Sequence, residues 1–232
     1  MCGYRFLPNG PNPLRVTWTP GRTTLHMVIL VLLLASGLCL AALDRLEVQQ
    51  PPAPGLRYGI HVGSEPVDLA WVRRAGFDWA VVVFSWRDIE PLPGRYFWEM
   101  PDAFLRAARF HRLHLVARLD RPPDWARQEP SPGSPPVDLE AYARFVEAAA
   151  ARYRGQIPAY IIWNEPNLAA EWGGAAPDAA GYAALLEAGY RAVKRGDPQA
   201  LVVSAGLAPT NDVTPQARDE RLYLRELYQA GA

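Results

Sequence analysis

Between residues 57 and 232 the chain alternates short, continuous apolar runs with segments of helical periodicity, and this pattern constrains its fold more than any other feature. The runs cover residues 58–62, 80–84, 113–119, 159–163 and 201–205. Unbroken apolar runs of this length, without polar alternation, mark strands covered on both faces, as in parallel sheets. Between them, helices are expected over 66–75, 101–110 and 139–153, the last with Asp138 as its N-cap. In the next helix Tyr182, Leu185, Leu186, Gly189, Tyr190 and Val193 recur on one face, which reads Tyr182 and Tyr190 as core. Gly196 ends that helix, and a final one is expected over 220–229.

The order is therefore strand, helix, five times over. Right-handed crossovers lay such strands side by side in one parallel sheet. A doubly wound open sheet and a barrel both satisfy that order. Gly63-Ser64-Glu65-Pro66, after the first run, lacks the glycine spacing of a dinucleotide loop, which favours the barrel. A closed barrel needs eight βα units in about 250 residues. The expected fold is thus α/β, a partial (β/α)8 TIM barrel of about five βα units.

The segment before it has a different character. Residues 27–43 are all small or apolar. At about 1.5 Å per residue they span roughly 26 Å, near the hydrocarbon thickness of a bilayer. Arg5, Arg15 and Arg22 precede them with no acidic residue between, which keeps the N-terminus cytoplasmic under the positive-inside rule. The expected organisation is a cytoplasmic segment over 1–24, a transmembrane anchor or signal segment over 25–43, and a Pro-rich linker over 44–56. The incomplete barrel domain over 57–232 then lies outside the cytoplasm, membrane-anchored or, if Ala41 and Ala42 mark a cleavage site, secreted.

Composition narrows the chemistry. Lys and Arg number 24 and Asp and Glu number 24, so there is no basic excess to neutralise phosphates, and no nucleic-acid partner is expected. Cys2 and Cys39 lie outside the domain, leaving it without a disulfide framework or a thiolate metal site. The four histidines show no metal-ligand spacing. No metal and no cofactor is implied.

Trp163-Asn164-Glu165-Pro166 closes the fourth strand. Functional groups of a parallel barrel sit at that rim. A glutamate there beside an amide suits proton transfer to a glycosidic oxygen; the alternative is a surface carboxylate at a strand end. Strict alternation points Asn164 and Glu165 to opposite faces, so both reach one site only if the strand bulges or ends there. Pro166 disfavours the α conformation for Glu165 and is expected to hold it extended.

Three segments carry a resemblance. The stretch from Phe84 to Trp98, with Trp86 followed by Ile89-Glu90-Pro91 and then Gly94 and the Tyr96-Phe97 pair, resembles the second-strand signature of clan A glycoside hydrolases. Trp163-Asn164-Glu165-Pro166-Asn167 resembles the fourth-strand motif of the same clan. Pro122-Pro123-Asp124-Trp125-Ala126 is similar to its segment after the third strand. The likeness covers residues 57–232 and leans toward family 39 β-xylosidase-type proteins and membrane-associated exopolysaccharide glycosidases. It implies retaining hydrolysis of O-glycosidic bonds in a poly- or oligosaccharide, with Glu165 as general acid/base and Asn164 on the sugar 2-hydroxyl. The clan's nucleophile sits on a seventh strand, which has no counterpart in these residues. Catalysis by this chain alone is therefore in question, and a non-catalytic glycan-binding or inactive barrel is the alternative.

Other candidates follow from position. His61, at the end of the first strand, is a candidate sugar contact or a packed histidine. Trp86 and Trp163 are candidate sugar-site linings, Trp86 alternatively a packing residue. Trp125 and Trp172 are placed in rim loops, each a candidate to stack on a pyranose face or a packing residue. Glu90 is expected to fix the loop after the second strand.

Overall fold

The computed structural model describes residues 58–232, apart from 64, 128–130 and 132. The expected cytoplasmic segment, membrane segment and linker lie outside the described residues. Among the described residues no helix is long and apolar enough to cross a membrane.

The sheet has five parallel strands in sequential order: β1 (Gly59–His61), β2 (Trp79–Ser85), β3 (His114–Asp120), β4 (Ala159–Ile162) and β5 (Leu201–Ser204). Between them run α1 (Asp68–Arg74), the short α2 (Trp86–Ile89), α3 (Glu99–Phe110), α4 (Leu139–Arg152) and α5 (Ala179–Gly196), and α6 (Glu220–Gln229) follows β5. All five runs form strands, and the five long helices form where the periodicity predicts. Asp138 caps α4 by accepting from the Glu140 amide, and Asp178 and Asp219 cap α5 and α6 the same way. Each carboxylate satisfies amides that the first turn leaves without partners. The sequence reading missed α2 and two single 3-10 turns, Asp124–Ala126 and Ala169–Glu171. Elements this short carry no periodic signal.

In a parallel sheet, paired residues share a face. One row comprises Ala80, Val82, Phe84, Leu115, Ala117, Leu119, Tyr160 and Ile162, each 2% exposed or less. This row meets the helices: Phe84 contacts the Tyr153 ring at the end of α4, and Ile162 lies against Gly189 of α5. The opposite row, including Val81, Val83, Val116 and Ile161, is only partly buried. That difference departs from strands covered on both faces. The reason is that helices cover only one side, and the five strands do not curl far enough to cover the other. β1 and β5 each pair with one strand among the described residues.

Of the expectations for α5, those for Gly196 and Tyr182 hold and that for Tyr190 needs correcting. Gly196 is the last residue of α5, where the sequence places the helix end. Its constraint is contact with α4: a Cβ there would stand 2.6 Å from the Ala150 Cβ and 2.7 Å from the Glu147 carbonyl oxygen. Tyr182 is fully buried, but Tyr190 is 50% exposed, with Lys194 over its ring. It sits at the margin of the helical stripe.

Candidate active site

β4 ends at Ile162, and the backbone then leaves the extended conformation. Trp163 has φ +75° and Glu165 has φ +35°, both in the left-handed region. This resolves the alternation problem: once the strand stops, its two-residue period no longer governs where Asn164 and Glu165 point. It also corrects the expectation that Pro166 holds Glu165 extended. The segment is a turn, with the Leu168 amide donating to the Glu165 carbonyl at 3.0 Å and the Glu165 amide donating to the Gly206 carbonyl at 3.2 Å. Such backbone costs about 1–2 kcal/mol for a residue with a Cβ. Buried Asn167 holds the turn in place: its side-chain NH2 donates to the Ala208 and Arg218 carbonyls, and its Oδ1 accepts from the Ala208 amide.

Register brings the polar groups together on the face not covered by helices. His61 pairs with Val81, Arg118 with Val83 and Ile161, and Asp120 with Ser85. Arg118 is a cation near the end of an otherwise apolar strand. Its Nε lies 2.7 Å from Asp120 Oδ2, and its Nη1 donates to Asn164 Oδ1 at 2.8 Å. It thereby ties the ends of β3 and β4. Burial raises the Asp120 pKa above the ordinary carboxylate value, outweighing the opposing charges of Arg118 and Arg121. Asp120 Oδ1 and Ser85 Oγ, on neighbouring strand ends, are buried without a hydrogen-bond partner among the described residues. Partial burial, then the Arg118 charge, lower the His61 pKa; the Glu165 carboxylate pulls the other way. His61, Arg118, Asn164 and Glu165 thus interact across β1, β3 and the end of β4.

The tryptophans divide differently from the sequence expectation. Trp86 is 0% exposed, stacked on Phe145 and edge-on to Trp125, with its Nε1 donating to Glu90 Oε2 at 2.7 Å. Trp163 is 1% exposed, and its Nε1 donates to the Glu171 carbonyl at 2.9 Å. Neither has an accessible ring face on which a sugar could stack, so both are corrected from site linings to packing residues. The positive φ at Trp163 swings that indole toward Tyr142 of α4 and Trp172, which it meets edge-on. Trp172 is itself buried, whereas Trp125 keeps part of its surface. Glu90 does fix the loop after β2: its two carboxylate oxygens accept from Trp86 and from the Gly94 amide. Its carboxylate, with burial the larger cause, pushes the Tyr96 pKa up to about 12.

The sequence reading passed over Arg118. The signal for Arg118 was present, a lone charge inside the run Leu115-Val116-Ala117-Arg118-Leu119. A separate cavity of about 500 Å³ lies between α5, β5 and the chain after α6, lined by Leu186, Tyr190 and Val202 among others. Its carboxylate, Glu187, is engaged by Arg191, and none of the strand-end polar groups above lines it. Among the described residues no cluster of side chains is suited to hold a metal ion.

No family model matches the sequence. No curated protein matches it. Solved structures do resemble the fold. A family 39 glycoside hydrolase from the gut symbiont Bacteroides cellulosilyticus WH2 is 22% identical, with a TM-score of 0.52 over 64% of this chain and 31% of its own. A family 39 enzyme from Xanthomonas axonopodis pv. citri is 20% identical, TM-score 0.52, over 63% of this chain and 34% of its own. A family 5 glycoside hydrolase from Streptomyces cattleya, solved in complex with GlcNAc, is 19% identical, TM-score 0.53, over 66% and 45%. The chain spans less than half the length of each of these structures. At this identity the likeness establishes the fold, a five-stranded α/β sheet corresponding to part of the barrel on which clan A glycoside hydrolases are built.

Proposed function

We propose that this chain carries the acid/base side of a glycoside hydrolase site of clan A type, acting on a poly- or oligosaccharide. The observation that carries the reading is Glu165, at the turn out of β4, in electrostatic reach of His61 at the end of β1. Barrel chemistry takes place at that end of the strands. Glu165 would protonate the leaving glycosidic oxygen and, in the second half of a retaining cycle, deprotonate the attacking water. Asn164, oriented by Arg118, would bind the sugar 2-hydroxyl. Retention requires a second carboxylate about 5–5.5 Å away. The buried strand-end candidate Asp120 is ion-paired to Arg118, and Glu90 is bound to Trp86 and Gly94. The nucleophile would come from the part of a barrel that these five strands do not form.

In the form of the protein that turns over, Glu165→Gln should lower hydrolysis of substrates with poor leaving groups by about 10²–10⁴-fold. Activated aryl glycosides should suffer much less, because their leaving oxygen needs no proton. Equal turnover by parent and variant on an alkyl glycoside would end the reading. The engagement of both Asp120 and Glu90 favours a second reading, a non-catalytic glycan-binding barrel. That form would bind sugar without releasing reducing ends, with affinity insensitive to Glu165→Gln.

The leader fits the same proposal. Residues 25–43 would anchor the chain in a membrane, or serve as a cleaved signal, with the barrel domain extracytoplasmic. Full protection of that domain from protease added to spheroplasts would refute this orientation.

A further inference from the structure

Helical crossovers in a parallel sheet run against the strands, so the helix C-termini gather at the end opposite Glu165. There the last helical turns and the loops after them carry Arg74, Arg106, Arg109, Arg112 and Arg154, all exposed. The acidic residues at that end do not offset them. Asp78 pairs with Arg73 at 2.6 Å, and Asp197 is 2% exposed and bonded to the Gly155 and Gln199 amides. At the Glu165 end Asp178 and Asp212 are exposed, while Asp88 and Asp124 stand beside Arg87 and Arg127.

Helix dipoles explain part of this polarity, since cations are favoured in last turns. They do not explain the apolar groups standing among the arginines. Phe110 is 83% exposed beside Arg109, and Trp71 is 62% exposed with the Arg74 guanidinium 4.6 Å over its ring. Tyr58, leading into β1 at the same end, is also 62% exposed. Arginines interleaved with exposed aromatics are the composition of a surface that meets lipid headgroups: the cations attract anionic phosphates, and the rings enter the interfacial layer. Single-stranded nucleic acid can use the same composition by stacking its bases on the rings, and binding of a soluble polyanion is an outcome of the test below. The sequence adds a second reason, since the apolar run 27–43 precedes Tyr58 by a short polar and Pro-rich stretch.

We propose that the helix C-terminal face of this domain docks on an anionic bilayer surface and leaves the strand-end mouth holding Glu165 turned away from it. The proposal draws on the membrane reading of residues 25–43.

The test uses the full chain in lipid nanodiscs, with Cys2→Ser and Cys39→Ser and a single reporter cysteine. Ala75→Cys reports from the proposed face and Asp212→Cys from the opposite rim. Each carries an uncharged fluorophore quenched by acrylamide. In discs containing phosphatidylglycerol the quenching constant at position 75 should fall by about half or more relative to phosphatidylcholine discs. Molar salt, where the Debye length shrinks to about 3 Å, should restore it. So should Arg106→Gln, Arg109→Gln and Arg112→Gln combined, with the thermal midpoint checked to be unchanged. Position 212 should stay accessible throughout.

Equal quenching at position 75 in both discs overturns the proposal, as does protection at position 212. Stronger protection of position 75 by soluble heparin than by anionic discs would reassign the face to soluble polyanions. A chain that does not co-elute with phosphatidylcholine discs refutes the anchor instead; the docking face then stands or falls on whether added phosphatidylglycerol vesicles protect position 75.

Discussion

Arg118 Nη1 donates to Asn164 Oδ1 at 2.8 Å, so a side chain of β3 sets the orientation of an amide at the exit of β4. The same guanidinium is ion-paired to Asp120, and both side chains are largely buried, 12% and 5% exposed. One cation therefore fixes two groups beside the candidate acid.

Removing that cation leaves the buried Asp120 carboxylate with only Arg121, half-exposed and 4.0 Å away. Arg118→Met should cost about 3–5 kcal/mol in urea unfolding. Adding Asp120→Leu should recover most of it, because two apolar side chains leave no uncompensated charge. A loss below about 0.5 kcal/mol for the single variant, within the range of ordinary surface changes, would show that the pair does not form in solution.

The raised Asp120 pKa has a definite sign in stability. The folded state holds this proton more tightly than the unfolded chain, so Asp120 favours folding below the ordinary carboxylate pKa. That contribution is lost as pH rises through the elevated folded value. Asp120→Asn removes the downward component. The variant's unfolding free energy, measured across the mildly acidic range, should therefore fall less, or rise more, with pH than the parent's. Parallel curves would mean that burial does not dominate at this carboxyl.

Glu165 sits at φ +35°, where a β-branched side chain is disfavoured and glycine is not. Glu165→Gly should be more stable than Glu165→Val by about 1–2 kcal/mol. An extended backbone at this position would reverse the order, since valine suits a strand end better than glycine does.

The approach of α5 to α4 at Gly196 leaves no room for a methyl group, with Ala151 N 2.7 Å from where a Cβ would lie. Gly196→Ala should destabilise by about 1–3 kcal/mol despite alanine's better helix propensity. A thermal midpoint above the parent's would show that the two helices can separate at little cost.

The five strands, the long helices and the sheet's parallel sense were legible in the sequence, because apolar runs and helical stripes record which face each element buries. The position of Glu165 at a strand mouth was legible for the same reason. What the tertiary structure decided was everything that depends on where a side chain turns after its strand stops. Trp86 and Trp163 looked like site linings from their neighbours along the chain, yet they fill the helix-side core. Glu165 looked extended because of Pro166, yet its amide follows the Gly206 carbonyl into a turn. Arg118 became important only when register set it beside Asp120 and within reach of Asn164, a residue 46 positions away. Periodicity is local and survives in one dimension. Contacts between strand ends depend on register and on turn geometry, which are fixed only when distant segments pack.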